Sequence, residues 1–144
     1  MMRHIWSGLL LVACGGIVGC GGSGLPLVPV SGQVTFNGGP PPAPGYVNFV
    51  MRPESGQSGL PNRPGSASFD KDGKFEVSSY NKGDGLLPGT YTAQIICWLG
   101  PTSETNPSSF VEMNAVPQDF APELVVEPGS KPIVKNFDVP PKKK

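Results

Sequence analysis

The amino-acid sequence predicts an all-β protein, a single antiparallel β-sandwich of about seven short strands. Several stretches alternate apolar and polar residues with a period of two, as strands with one buried face do. No stretch of the 144 residues keeps a helical period. The 20 glycines and 18 prolines fall mostly between the alternating stretches, where turns are expected. Many short strands separated by Gly/Pro turns are typical of two packed sheets.

The predicted strands cover residues 30–36, 46–51, 66–70, 74–78, 90–98, 123–127 and 131–139. The first places four alternate residues on one face: Val30, Gly32, Val34 and Phe36. It ends at Asn37-Gly38, a dipeptide typical of tight turns. Residues 39–45 hold four prolines and predict a rigid loop, because proline fixes φ and lacks the amide that a ladder needs.

Two hairpins are predicted further along the chain. The strands 66–70 and 74–78 flank Lys71-Asp72-Gly73, in which Asp-Gly suits the positive φ of a tight turn. The strands 123–127 and 131–139 are joined by Pro128-Gly129-Ser130. Residues 52–65 predict a surface loop that separates the second strand from the first hairpin.

The longest predicted strand, 90–98, has one face made of Tyr91, Ala93, Ile95 and Cys97. Residues 100–122 follow it with four prolines and scattered apolar residues. An excursion of this length is usually functional or disordered. Cys97 is the third cysteine of the chain, and we expect it to behave as a small buried hydrophobe.

The N-terminus has the pattern of a secretory signal, with Arg3 ahead of an apolar run over residues 5–19. The segment Ile17-Val18-Gly19-Cys20 resembles the lipobox of bacterial lipoproteins, in which the chain is cut before the cysteine and the cysteine receives fatty chains such as palmitate. Cys14 after Leu11-Val12-Ala13 is an alternative site of lipidation. An ordinary signal peptide also remains open, whereas a membrane span is disfavoured because it needs about 20 apolar residues.

These features divide the chain into a signal peptide (1–19), a lipidated Gly/Pro tether (20–29), the β domain (30–139) and a solvated basic tail (140–144). The expected location is the cell envelope, facing the periplasm or the cell surface. In the best-known lipoprotein sorting rule, an aspartate directly after the lipidated cysteine retains the protein in the inner membrane. Gly21 occupies that position here, so we expect the outer membrane to hold the anchor.

The composition argues against catalysis and against nucleic acid as a partner. The only histidine, His4, lies in the signal, so neither an imidazole base nor a His/Cys zinc site is expected. Acidic and basic residues balance, which gives no electrostatic attraction to nucleic acid. Asp70, Asp72 and Asp84 suggest a calcium loop, but Asn81 stands where an EF-hand loop has glutamate, and a plain turn is favoured. We therefore expect no catalytic residue, metal or cofactor.

Three aromatic side chains are the candidate ligand contacts: Trp98, Tyr46 and Tyr80. Aromatic faces can stack on sugar rings, although packing at the core or edge is the favoured role for each. Two functions stay open. One is a lipid-anchored module that binds another envelope protein through an edge strand or residues 100–122, and the other is a module that binds carbohydrate or a similar solute.

The order of three motifs carries a family resemblance. Residues 30–38 (VSGQVTFNG), 67–75 (ASFDKDGKF) and 87–91 (LPGTY) resemble the carboxypeptidase regulatory-like, or transthyretin-like, β-sandwich domain, as found in small planctomycete-type lipoproteins. The resemblance covers residues 30–139 and implies an Ig-like architecture with an accessory or interaction role. Transthyretin-like hydrolases have active-site histidines that this chain lacks, so no activity is inferred from the resemblance. Within these motifs, Gly32 permits a bulge or close backbone approach, and the Tyr91 hydroxyl is expected to find a backbone partner.

Overall fold

The computed structural model of this chain describes residues 24–56 and 59–143. Its eight strands within those ranges are β1 Val30–Phe36, β2 Gly45–Met51, β3 Gly65–Phe69, β4 Lys74–Glu76, β5 Gly89–Ile96, β6 Glu123–Val126, β7 Ile133–Val134 and β8 Phe137–Val139. A 3-10 turn covers Pro53–Ser55, and one short helix, α1, covers Ser108–Met113. The prediction of a mostly β chain is therefore confirmed.

The strands form two sheets of four. In the first sheet, β1 pairs with β4 on one side and with β7 and β8 on the other; the second sheet has the order β3-β2-β5-β6. The expectation of a wholly antiparallel fold is wrong for the first sheet, because β7 and β8 run parallel to β1. The predicted strand 131–139 divides into β7 and β8. Between them, the side-chain oxygen of Asn136 accepts a hydrogen bond from the backbone amide of Gln33 at 3.0 Å.

Both predicted hairpins are wrong, because each pair of strands is divided between the two sheets. β3 belongs to the second sheet and β4 to the first, while β6 and β7 are separated in the same way. β3 is joined to the chain after β4 only at Ser66 and Ser78, which exchange two backbone hydrogen bonds of 2.9 Å. The alternation of apolar and polar residues predicts which side chains of a strand are buried. It does not predict which sheet the strand joins, because the same side chains are buried in either sheet.

The hydrophobic core receives side chains from both sheets. Phe49 of β2 lies 6.2 Å from the rings of Phe75 and Phe137, which belong to the first sheet. The predicted apolar face of β5 is confirmed, because all four of its residues are buried: Tyr91, Ala93, Ile95 and Cys97. The Tyr91 hydroxyl donates to the Leu87 carbonyl at 2.8 Å, as expected from the sequence.

Gly32 allows the close backbone approach that the sequence suggests. A Cβ built there would overlap the Lys135 carbonyl oxygen and lie 2.9 Å from the Phe75 ring. Any side chain at position 32 would therefore separate β1 from the segment between β7 and β8.

The predicted turn at Asn37-Gly38 is confirmed, since both residues have positive φ, 50° and 77°. The carboxylate of Asp138 holds this turn to β8 by accepting hydrogen bonds from the Gly38 amide at 2.9 Å and the Thr35 hydroxyl at 2.7 Å. These two bonds, the Gly38 amide above all, lower the pKa of Asp138.

The folded part begins before the expected limit of the β domain. Val28, placed in the tether by the sequence, is buried and exchanges backbone hydrogen bonds of 2.8 and 2.9 Å with Leu86. Leu25 and Leu27 also pack against the core. The basic tail is exposed over residues 140–143, and within it the Lys142 ammonium donates to the Val111 carbonyl of α1 at 2.9 Å.

The excursion over residues 100–122 contains α1 and packs onto the domain. Six residues make fewer than two helical turns, which is too short for a periodic pattern to be recognised. The segment returns along the end of β5 through a bridge between Trp98 and Asn114, and it buries Val116 in the core. No helix within the described ranges is long and apolar enough to cross a membrane.

Candidate functional site

The lipidation candidates Cys20 and Cys14 lie outside the residues that the structure describes. Residues 24–56 and 59–143 contain no cluster of three or more His, Cys, Asp or Glu side chains that could hold a metal ion.

The suggested calcium loop is a turn held by its own carboxylates. The Asp84 carboxylate accepts hydrogen bonds from the amides of Ser79 (2.8 Å), Tyr80 (3.0 Å) and Asn81 (2.7 Å). Burial raises the pKa of Asp84, but the hydrogen bonds from these amides together have a larger effect in the opposite direction. The pKa of Asp84 is therefore lowered. Asp70 accepts from the Asp72 amide at 2.8 Å, as in an Asx turn.

Cys97 is a free and buried thiol, as predicted. Its Sγ donates to the Ala43 carbonyl at 3.3 Å, and burial raises the pKa of the thiol. A neutral thiol without access to solvent is a poor nucleophile, so Cys97 serves the packing of the core.

Tyr80, one of the three candidate ligand contacts, has its ring face occupied. The Arg63 guanidinium lies 4.2 Å from the ring centroid and also donates to the Ser79 carbonyl at 2.7 Å. The ring packs against the core on its other parts. Tyr80 is therefore a packing residue that holds the 59–65 loop by a cation–π contact.

Trp98 and Tyr46 are placed on the outer side of the second sheet. Tyr46 is 54% exposed and lies between Ile96 of β5 and Ser68 of β3 in the register. Trp98 comes two residues after Ile96, so alternation places it on the same side. Its half-buried ring contacts Phe110 of α1 edge-to-face, with the centroids 5.7 Å apart. The structure thus brings Tyr46 and Trp98 to one face and leaves Tyr80 elsewhere.

A groove lies beside Tyr46, at the open side of the two sheets where β3 and β4 are the edge strands. Its volume is about 620 Å³. We call it the edge groove, and its lining consists of Tyr46, Ser66, Ala67, Ser68, Lys74, Phe75, Glu76, Ser78 and Lys82.

The edge groove is hydrogen-bonded at both ends and open between them. At one end Ser66 pairs with Ser78, and at the other the Gly73 amide donates to the Asp70 carbonyl at 3.0 Å. Because backbone groups alternate in direction along a strand, the peptide groups of Ser68 also face the gap. No sequence pattern predicts this groove, because it exists only where β3 and β4 diverge into different sheets.

A second surface feature is the end of the domain that carries α1. Leu99, Phe110 and Val111 are exposed there, at 58%, 39% and 44%. Lys142 lies beside them through its bond to Val111. We call this surface the α1 end.

No known protein-family model matches the chain, and no curated protein or solved structure is significantly similar to it. A proposal for its function therefore depends on the N-terminal sequence, the two sheets and the edge groove.

Proposed function

We propose that this chain is a bacterial lipoprotein in which a non-catalytic β-sandwich is anchored through Cys20 to a membrane of the cell envelope and binds another envelope component. The observation that carries the proposal is the Ile17-Val18-Gly19-Cys20 segment behind an apolar run, with Leu25, five positions after Cys20, packed against the core of the β domain. The outer membrane is the proposed location, because Gly21 is not the retaining aspartate.

The proposed class of the domain is the carboxypeptidase regulatory-like, or transthyretin-like, sandwich. It is supported by the shared core of the two sheets, by the close approach at Gly32 and by the hydrogen bond of Tyr91. In that class the domain has an accessory role. An interaction role also suits a chain whose only histidine precedes the proposed cleavage site.

The two ends of the domain differ in how far they lie along the chain from the proposed anchor. Val28 and Leu86 lie at the end of the domain where β1 begins, while Asn37 and Val139 lie at the end where β1 finishes. Seven residues of strand separate these ends by roughly 20 Å. The α1 end lies on the Val139 side, as the contact between Lys142 and Val111 requires. An anchor at Cys20 would therefore direct the α1 end away from the membrane, toward a protein partner.

Tyr46 favours a second candidate function, the binding of carbohydrate or a similar solute. Its ring is more than half exposed, borders a groove of about 620 Å³, and has serine hydroxyls beside it. Ligand sites of this size combine an apolar platform with a few polar groups that fix the orientation of the ligand.

Membrane fractionation of bacterial cells that express the full chain tests the anchor. We expect the wild-type protein and the Cys14→Ala variant to lose residues 1–19, to carry fatty chains and to enter the detergent phase, and Cys20→Ala to keep residues 1–19 and to carry no fatty chain. If only the Cys14→Ala variant lacks the fatty chains and leaves the detergent phase, the lipidated residue is Cys14 instead of Cys20. A wild-type protein found in the aqueous phase would refute the proposal.

A further inference from the structure

We infer that the edge groove binds an acidic saccharide, with the Tyr46 ring stacked on a sugar and the two groove lysines facing its negative charges. This inference rests on the second candidate function and adds to it the position of the site and the charge of the ligand.

The aromatic part of the site is Tyr46. Of the two aromatic residues that line the groove, Tyr46 is 54% exposed, whereas Phe75 is buried in the core. Tyr46 belongs to β2, the strand between β3 and β5, and it is paired with Ser68 on one side and Ile96 on the other. An exposed aromatic ring on a sheet can stack on the apolar face of a sugar.

The polar part of the site is the gap between β3 and β4. The Val77 amide donates to the Val30 carbonyl and the Val34 amide to the Gly73 carbonyl, so odd-numbered residues of this stretch face β1. By alternation, the peptide groups of Lys74 and Glu76 face the gap, opposite those of Ser68. These groups can exchange hydrogen bonds with ligand hydroxyls.

The closed ends of the gap select a small hydroxylated ligand over a peptide strand. The Ser66–Ser78 pair and the Asp70–Gly73 turn leave open peptide groups of β3 only at Ser68. A peptide that adds to a sheet edge needs a longer row of such groups. A volume of about 620 Å³ is within the range of small-molecule sites.

The charges of the groove favour an anion. Lys74 and Lys82 contribute two ammonium groups, against the single carboxylate of Glu76. Among the described residues, the ion pair present joins Arg52 to Glu123, so both groove lysines are free to bind a ligand. The Glu76 carboxylate lies against Gly83, where a Cβ would touch it, and is placed to accept a sugar hydroxyl.

Calorimetric titration of the full chain in detergent tests the inference with three trisaccharides: trigalacturonate, a sulfated galactose trisaccharide and neutral galactotriose. We expect at least one acidic trisaccharide to bind at least tenfold more tightly than galactotriose. Tyr46→Ala should weaken that binding at least tenfold, and the pair Lys74→Ala and Lys82→Ala should weaken it and reduce its dependence on salt. Lys131→Ala removes an exposed lysine outside the groove and should leave the affinity unchanged.

The outcomes separate the inference from the function on which it rests. Equal affinity for galactotriose and the acidic sugars, lost in Tyr46→Ala, would overturn the acidic ligand and keep saccharide binding. Affinity that survives Tyr46→Ala would overturn the edge groove as the site. Absence of binding by all three sugars would overturn this inference, while membrane fractionation tests the anchor independently.

Discussion

Replacing Tyr91 by phenylalanine removes one buried hydroxyl and leaves the ring in place. Tyr91 is fully buried in β5, and its hydroxyl donates to the Leu87 carbonyl four residues earlier at 2.8 Å. The bond fixes the Leu87-Pro88-Gly89 turn against the strand that the turn precedes. The variant therefore isolates one hydrogen bond within the core of the domain.

The expected loss of stability is about 1–3 kcal/mol. A hydrogen bond contributes a net 0.5–1.5 kcal/mol or so, and a buried carbonyl left without its donor costs roughly 1–3 kcal/mol. For a domain of this size, each kcal/mol lowers the melting temperature by about 4 °C. We therefore expect the midpoint of Tyr91→Phe to fall by roughly 4–12 °C.

Thermal and urea unfolding, followed by circular dichroism, measure this effect. Tyr46→Phe is the matched control, because it removes a hydroxyl that is already exposed to water, and its midpoint should stay within about 2 °C of the wild type. If the midpoint of Tyr91→Phe also stays within about 2 °C of the wild type, the buried hydrogen bond of Tyr91 does not stabilise the domain as argued.

The same residue gives stability a dependence on alkaline pH. Burial, with a smaller contribution from the nearby Tyr80, raises the pKa of Tyr91 above its ordinary value. A group whose pKa is raised by folding contributes stability below its unfolded pKa, and this stability is lost as the pH rises. The wild type should thus lose stability above about pH 10, and Tyr91→Phe should lose less.

Three further predictions concern the backbone, an acidic turn and the thiol. Gly32→Ala should lower the free energy of unfolding in urea by roughly 3 kcal/mol or more, because the added Cβ overlaps the Lys135 carbonyl. Its control is Gly39→Ala, where the Cβ has room and the free energy of unfolding should fall by about 0.5 kcal/mol or less. Asp84→Asn should cost about 1–3 kcal/mol at pH 7, because an amide has one accepting oxygen for three backbone donors. Since folding lowers the pKa of Asp84, the wild type should lose this stability as the pH falls below about 4, and the difference from Asp84→Asn should shrink there. Iodoacetamide at pH 7 should modify Cys97 only after unfolding, as read by peptide mass spectrometry.

Each of these predictions has a contradicting result. Equal stabilities of the two glycine variants would contradict the close approach of the backbone at position 32. A constant difference between the wild type and Asp84→Asn from pH 7 to pH 3 would contradict the role of the charged carboxylate. Rapid labelling of Cys97 in the native protein would contradict its burial.

The sequence predicted burial better than it predicted pairing. Alternation identified the buried face of β5, and the Leu-Pro-Gly-Thr-Tyr motif identified the hydrogen bond of Tyr91, because both depend on neighbours along the chain. It wrongly paired β3 with β4, since a strand buries the same residues whichever sheet it joins. It also left β7 and β8 undivided, because the hydrogen bond of Asn136 to β1 joins residues 103 positions apart.

The candidate site follows the same division. Tyr46 and Trp98 were identified from their residue type, and the structure places them on one face. The difference between the open ring of Tyr46 and the covered ring of Tyr80 depends on Arg63, 17 positions away, which composition does not indicate. The edge groove was missed because it is a product of topology, in which two strands adjacent in sequence diverge into two sheets.

Mass spectrometry of the N-terminal peptide of the protein purified from bacterial membranes tests the central claim most directly. We expect a peptide that begins at Cys20, with the mass of fatty acyl chains on that cysteine and no residues 1–19. A peptide that retains residues 1–19, or one that begins elsewhere without acyl chains, would contradict the lipid anchor.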